Sequence, residues 1–377
     1  MTIWWAILFW CCAVLLAYAQ VGYPLLLYAL TRLSRPRPAS PATAALPTVS
    51  LIVAAYDEGA VIAAKVANAL ALDYPREDLQ VIVASDGSAD GTVSEARRAG
   101  ADLVLDLPRG GKIRTQDCAV ERARGELLVF SDANSSWEPG ALTTLVAAFD
   151  DPAVGYACGQ VRFISDGSAT NQEGLYWRYE MALRSLESKL ASITAGNGAI
   201  YATRRETYIN VDPVMGHDLS FPFNMVKRGW RAVYVPAARA TEKMVPSIEG
   251  EFARKRRMMS HAWPIVLRGG LLSPRGYTPL YALMILSHRV LRYAAPFVHV
   301  VLLAASGALV GTSPFYAIAF ALQVALLAAA LLAAALPFKP LLVARYYVLT
   351  TASVAAGLWD HLRHGTPAGW EPADGTR

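Results

Sequence analysis

The sequence predicts an α/β domain with a mostly parallel sheet, joined to membrane-spanning helices at both ends. Three observations carry this. Between residues 46 and 277, short apolar runs alternate with helical patterns, and such β-α-β alternation builds parallel sheets covered by helices. Long uncharged runs stand before and after that stretch. Only 17% of the 377 residues are charged and 54% are hydrophobic, whereas a soluble domain carries about 25% charged residues. Part of the chain therefore belongs in lipid.

The first charge is Arg32, so 31 residues pass without one; roughly 20 apolar residues cross a bilayer. A cleavable signal peptide has a basic start and a short apolar core. This chain opens Met1-Thr2-Ile3-Trp4-Trp5, so residues 1–31 read as a retained anchor. Arg32, Arg35 and Arg37 follow in a basic, Pro-rich linker (32–46) and place that side in the cytoplasm. In the domain, 47–277, buried strands are expected at Thr48–Ala54, Leu79–Ala84, Leu103–Leu105 and Leu127–Phe130, with helices at Ala60–Leu70 and Val93–Ala99. An interfacial helix is expected over 278–292 and two spans over 293–338, turning at Gly311-Thr312-Ser313-Pro314. Tyr346–Trp359 has only 14 uncharged residues, a length that fits an interfacial or re-entrant helix better than a crossing. The expected topology is three spans, a fourth being the alternative, in a multi-pass protein of the cell membrane with its domain in the cytoplasm.

Charge and cysteines narrow the function. Residues 46–277 carry 26 basic and 27 acidic side chains, and the rest of the chain carries 9 and 3. The excess of +5 thus flanks the spans, where it meets anionic headgroups. A nucleic-acid binder needs its basic surface on a soluble face, so no nucleic-acid partner is expected. Four scattered cysteines make neither a disulfide scaffold nor a zinc module.

Three expected strands end in acids: Tyr56-Asp57-Glu58, Ser85-Asp86-Gly87-Ser88 and Ser131-Asp132-Ala133-Asn134. Ligands of open α/β sheets bind beyond the carboxyl ends of the strands. Each Asp alone reads equally as a helix cap or turn former, but three on one edge point to a shared polar site. Asp132 and Asn134 offer hard oxygen ligands suited to Mg²⁺ or Mn²⁺. Lys112, after Gly110-Gly111, can meet phosphate as a point charge. Neither a Walker-type G-x-x-x-x-G-K-[ST] nor a dinucleotide G-x-G-x-x-G stretch accompanies it. Gly196-Asn197-Gly198-Ala199 is either a close-approach segment or a plain turn. Asp218 is either a cap or a general base. Arg254-Lys255-Arg256-Arg257 is either a solvated or headgroup-facing surface or a diphosphate clamp.

Taken in order, these motifs resemble the membrane-bound family 2 glycosyltransferases, which include cellulose, hyaluronan and chitin synthases. The resemblance runs from about Pro47 to Arg292. Val49 to Glu58 resembles the opening strand, and Val83 to Thr92 is similar to V-x-S-D-G-S-x-D-G-T. Gly111-Lys112 with Gly125-Glu126 looks like the G-K…G-E stretch, with Asp117 for the usual Asn. Ser131 to Asn134 resembles the D-x-D metal motif with Asn in second place, and His217-Asp218 resembles the T-E-D element. Arg254 to Met258 sits where processive synthases carry Q-R-x-R-W, with Met258 for the Trp. Trp370 with Thr376-Arg377 is similar to the W-x-T-R ending.

The resemblance implies a GT-A fold and an inverting transfer from a nucleoside-diphosphate sugar, a UDP-sugar first, to the hydroxyl of a glycan or lipid acceptor. It assigns donor binding to Tyr56, Glu58, Asp86, Lys112, Asp132 and Arg257. Mg²⁺ or Mn²⁺ falls to Asp132 and Asn134, the acceptor side to Gly196, Asn197 and Gly198, and the base to Asp218. Two rivals are a polyprenyl-phosphate glycosyltransferase and a catalytically impaired membrane subunit, the latter on the strength of Asn134, Asp117 and Met258.

Overall fold

The computed structural model describes residues 2–35, 45–164, 172–245 and 247–369. The expected Trp370, Thr376 and Arg377 ending and most of the linker lie outside them.

Eight strands form one sheet: β1 (Val49–Ala55), β2 (Leu79–Asp86), β3 (Leu103–Leu107), β4 (Leu127–Asp132), β5 (Ser136–Trp137), β6 (Val154–Ile164), β7 (Tyr201–Arg204) and β8 (Arg231–Lys243). Their order is β3-β2-β1-β4-β7-β6-β8-β5. All four expected strands are present. Every residue of β1 and β2 is buried, as parallel strands covered on both faces must be. The sheet is mostly parallel, as expected, but mixed: β6 and β8 also run parallel to each other. β3, β2, β1 and β4 run parallel, whereas β7 pairs antiparallel with both β4 and β6. The second half escaped the sequence reading because β8 buries its residues irregularly and gives no clean two-residue period.

Register aligns the functional edge. Ala54 stands opposite Asp132, and Ala55 opposite Ser85. Tyr56, Asp86 and Asp132 therefore leave the sheet at one level, at the point where the strand order turns from β1 to β4. The helix Ile62–Leu70 covers this region with Ile62, Lys65, Val66 and Ala69 buried, the stripe a 3.6-residue repeat makes. Lys65 is a cation on that stripe.

Among the described residues, four helices are long and apolar enough to cross a membrane: Thr2–Leu33, Pro279–Ala308, Pro314–Leu332 and Lys339–His364. Two segments run on further than their uncharged stretches. The expected interfacial helix 278–292 is continuous with the following span, through a π-helical turn at Ile285–Val290. Tyr346–Trp359 belongs to one unbroken helix of 26 residues, Lys339–His364, rather than a re-entrant hairpin. The uncharged runs are shorter than these helices because the charges that bound the runs are paired within the protein. Arg289 Nε donates to Thr194 Oγ1 at 2.9 Å and Arg292 pairs with Glu180. Arg345 bonds Glu249 at 2.7 Å and Asp360 bonds Arg256 at 2.6 Å.

The anchor is fastened to the domain. Tyr18 in its π-helical turn (Tyr18–Gly22) meets Ser287 in the other π-helical turn at 2.8 Å. Tyr23 Oη donates to Glu187 at 2.7 Å, and His288 Nδ1 bonds the same carboxylate at 2.6 Å. Tyr23, Leu27, Tyr281 and Ile285 share one core with Leu183, Ala195 and Leu219 of the domain.

Candidate active site

The loop after β3 sits under β2. Asp86 is wholly buried, and its carboxylate accepts from Gly110 N at 2.6 Å, Gly111 N at 3.0 Å and Arg109 Nη1 at 3.1 Å. Asp86 therefore holds the turn that starts the helix Lys112–Arg122, with Gly111 at φ +93°, a conformation that favours glycine. The Arg109 guanidinium lies 3.2 Å from the centroid of the Tyr56 ring. Arg109 was not singled out in the sequence, where its only signal is its place before Gly110-Gly111. A Cβ on Gly111 would stand 2.2 Å from the carbonyl oxygen of Ala368, so the segment after the last helix packs on this turn. Glu58 is buried, and its N–H bonds Thr92 Oγ1 at 2.8 Å. Asp57, the non-glycine residue with positive φ (48°), accepts from Ala89 N at 2.8 Å and is a turn former.

The Asp132 edge is built from three segments. Lys112 Nζ forms an ion pair with Asp132 Oδ1. Burial works against the Lys112 charge, but Asp132, with Asp218 and Glu242, raises the ammonium above its usual range. Gly198 lies over the pair: a Cβ there would be 3.4 Å from both Asp132 Oδ2 and Lys112 Nζ. The loop after β4 grips the glycine-containing segment through the Ala199 carbonyl, which accepts from Trp137 Nε1 at 3.0 Å and Ser131 Oγ at 3.1 Å. Asn197 spans the segment, donating to Gly159 O at 2.8 Å and accepting from Ile200 N at 2.9 Å. Its side chain holds the loop's shape. Gly196 is demanded by Tyr156, whose hydroxyl would stand 2.0 Å from a Cβ.

Asp218 lies in the first turn of the helix His217–Lys227, capped at Gly216. It is not the cap; its backbone carbonyl accepts from Gly196 N at 2.6 Å, joining the helix to the glycine-containing segment. Its charge acts on Lys112 and on His261. Arg257 also acts on His261, one turn away on the helix Ile248–Leu267. The neighbouring cations are tied down: Arg254 to Glu251 at 2.7 Å, Lys255 to Tyr346 at 2.9 Å and Arg256 to Asp360. His217 is buried against Phe221 and bonded through Nδ1 to Tyr201 Oη at 2.8 Å. Burial and then Lys112 push its pKa down to about 3, so it is neutral.

Two further ionisable groups stand here. Lys65 Nζ donates to Ser135 O at 2.9 Å, and burial lowers its pKa to about 7 against the pull of Asp132 and Glu242. Glu242, on β8, is raised to about 7 by burial and then by Asp132. Neither was legible in the sequence, since both come from distant segments and match no motif. Asn134 follows Asp132 in a turn in which Ser135 N donates to Asp132 O at 3.3 Å. Oxygen donors suited to a hard cation are thus present, although among the described residues no group of three His, Cys, Asp or Glu side chains is close enough to hold a metal.

A model described as glycosyltransferase-like family 2 matches residues 47–260, more than half of the chain. The chain belongs to this family. Its fold is GT-A. Over 233 residues it is 28% identical to an N-acetylglucosaminyltransferase of Mesorhizobium japonicum, covering 56% of this chain and 54% of that protein. A similar enzyme of Neorhizobium galegae is 26% identical over 248 residues, 59% of this chain and 56% of its own length. The chain thus spans about half the length of these curated relatives. Among solved structures it is similar to the mannosyltransferase PcManGT from Pyrobaculum calidifontis, in complex with GDP-Man and Mn²⁺. The TM-score is 0.72 at 27% identity, over 94% of this chain and 99% of that one.

Proposed function

We propose that this glycosyltransferase transfers a sugar, with inversion, from a nucleoside-diphosphate sugar to an acceptor hydroxyl at the cytoplasmic face of the cell membrane. The product is a polysaccharide or glycolipid. The observation that carries this is the meeting of Lys112, Asp132, Gly198 and Asp218 beyond the carboxyl ends of β1, β2 and β4. Asp218 takes the proton of the acceptor hydroxyl as it attacks the anomeric carbon. Lys112 moves from Asp132 to the diphosphate, and Arg257 approaches from the opposite helix, each neutralising the leaving group. Tyr56 supplies a face for the base. Arg109 and Asp86 fix the turn beneath the nucleotide. Mg²⁺ or Mn²⁺, held by Asp132 and Asn134, would neutralise further diphosphate charge; the Mn²⁺ in the similar mannosyltransferase complex supports this.

UDP-sugars are the first donors to test. GDP-mannose is the second reading, favoured by the full-length similarity to an enzyme complexed with GDP-Man. A lipid-borne acceptor is favoured because Ala195 and Leu219, beside Gly196 and Asp218, pack in one core with Tyr23, Leu27 and Ile285 of the membrane helices. The experiment is to incubate detergent-solubilised protein with a panel of nucleotide sugars, Mn²⁺ or Mg²⁺ and a membrane lipid extract. Products are then identified by mass and anomeric configuration. Retention of configuration sinks the mechanism, and neither transfer nor donor hydrolysis across the panel favours the impaired-subunit reading.

A further inference from the structure

Glu242 is a half-buried acid with one unsatisfied oxygen. Its Oε1 atom is enclosed with no hydrogen bond, and such an atom is costly unless something satisfies it. Strand register places it: Thr241 of β8 stands opposite Ser136 of β5, so Glu242 continues β8 past the end of that pairing, beside the Asp132–Ser135 turn. Asp132 is the neighbouring charge that acts on it most strongly, with Lys112, Arg254 and Lys65 around them. A carboxylate with an enclosed, unbonded oxygen that feels a second carboxylate is destabilised unless a cation stands between them. The same turn carries Asn134, a neutral amide that contributes an oxygen but no charge.

We infer that Glu242 supplies the second carboxylate for the divalent cation held by Asp132, making up the charge that Asn134 lacks. The site is then Asp132 from the end of β4, the Asn134 amide from the following turn and Glu242 from β8. Two carboxylates with an amide oxygen suit Mg²⁺ or Mn²⁺, which complete their shell with water and diphosphate oxygens. Lys112, paired with Asp132 in this structure, holds the cation's place before the donor arrives. The inference rests on the proposed role of Asp132 but not on the identity of sugar or acceptor.

The test is Mn²⁺ affinity, read by the loss of free-Mn²⁺ electron paramagnetic resonance signal, on the full-length protein in detergent with Mn²⁺ alone and with UDP or GDP. Glu242→Gln keeps the side-chain shape and should weaken Mn²⁺ binding by about 10-fold or more. Asn134→Asp in the Glu242→Gln background should return the affinity to within about threefold of wild type, which a purely structural Glu242 would not allow. Asn134→Asp alone should tighten binding, and this variant decides the matter if Glu242→Gln does not fold. Unchanged Mn²⁺ affinity in Glu242→Gln, no recovery in the double variant, or no Mn²⁺ binding by wild type overturns the inference. Mn²⁺ binding without sugar transfer by wild type would instead count against the proposed function and leave the cation site standing.

Discussion

Asp218→Asn separates chemistry from folding. The side chain of Asp218 is not the cap of its helix, and the bond that ties the helix to Gly196 uses the backbone carbonyl. An isosteric amide leaves that bond in place. The stability lost is that of an acid in a helical first turn, about 0.3–1 kcal/mol, together with part of its attraction for Lys112. Loss of a general base costs about 10²–10⁴ in rate, equivalent to roughly 3–5 kcal/mol at 1.36 kcal/mol per tenfold. The chemical loss therefore exceeds the structural one several-fold. Donor binding by calorimetry should stay within about threefold, while transfer, followed by nucleoside-diphosphate release, falls at least about 100-fold. Transfer within threefold of wild type would refute Asp218 as the base. Loss of donor binding would place it in the donor pocket.

The remaining expectations concern neighbouring groups. His217 stays neutral in the native protein down to about pH 3, whereas in the unfolded chain it takes a proton near its ordinary pKa of about 6.5. Its contribution to stability is therefore complete above pH 6.5 and lost as pH falls below it. The Tm difference between wild type and His217→Gln should shrink between pH 7 and pH 5; a constant difference contradicts this. Gly196→Ala forces a methyl onto the Tyr156 hydroxyl and should impair transfer, with Tyr156→Phe in the same chain restoring part of it; an additive double variant argues against the clash. Glu187→Ala removes the shared acceptor of Tyr23, His288 and Thr194 and should cost about 3 kcal/mol or more. Thermal unfolding in detergent measures it, and an unchanged Tm would show the cluster to be dispensable.

The parallel half of the sheet was legible because both of its faces are buried. β1, β2 and β4 therefore read as largely apolar runs, and β2 and β4 end in Asp86 and Asp132. Lys112, Asp132, Gly198 and Asp218 were found through motifs whose spacing survives in one chain. Arg109, Lys65 and Glu242 were not, since each acts through a partner more than 20 positions away and sits in a stretch with no pattern of its own. Asp86 and Asn197 carried a signal, but their side chains bond to the protein's own backbone, a use that sequence does not distinguish from contact with a ligand. The ends of the apolar helices were not legible for a related reason. Arg289, Arg292, Arg345 and Asp360 each have a partner in the protein, so a charge did not mark where a helix stopped.

The contact between Ala368 and Gly111 gives the bilayer a hold on the donor loop. Only residues 365–367 separate the end of the last long apolar helix from that contact, a leash of roughly 14 Å when fully extended. Thr366 is moored on the way, bonding Ser260 O at 2.8 Å and His361 at 2.9 Å. A helix that tilts to match a thicker or thinner membrane would draw on this leash and shift the floor beneath the nucleotide. The donor KM should therefore vary with lipid chain length in nanodiscs while stability in the same discs does not. A KM that ignores chain length would show that the leash is slack.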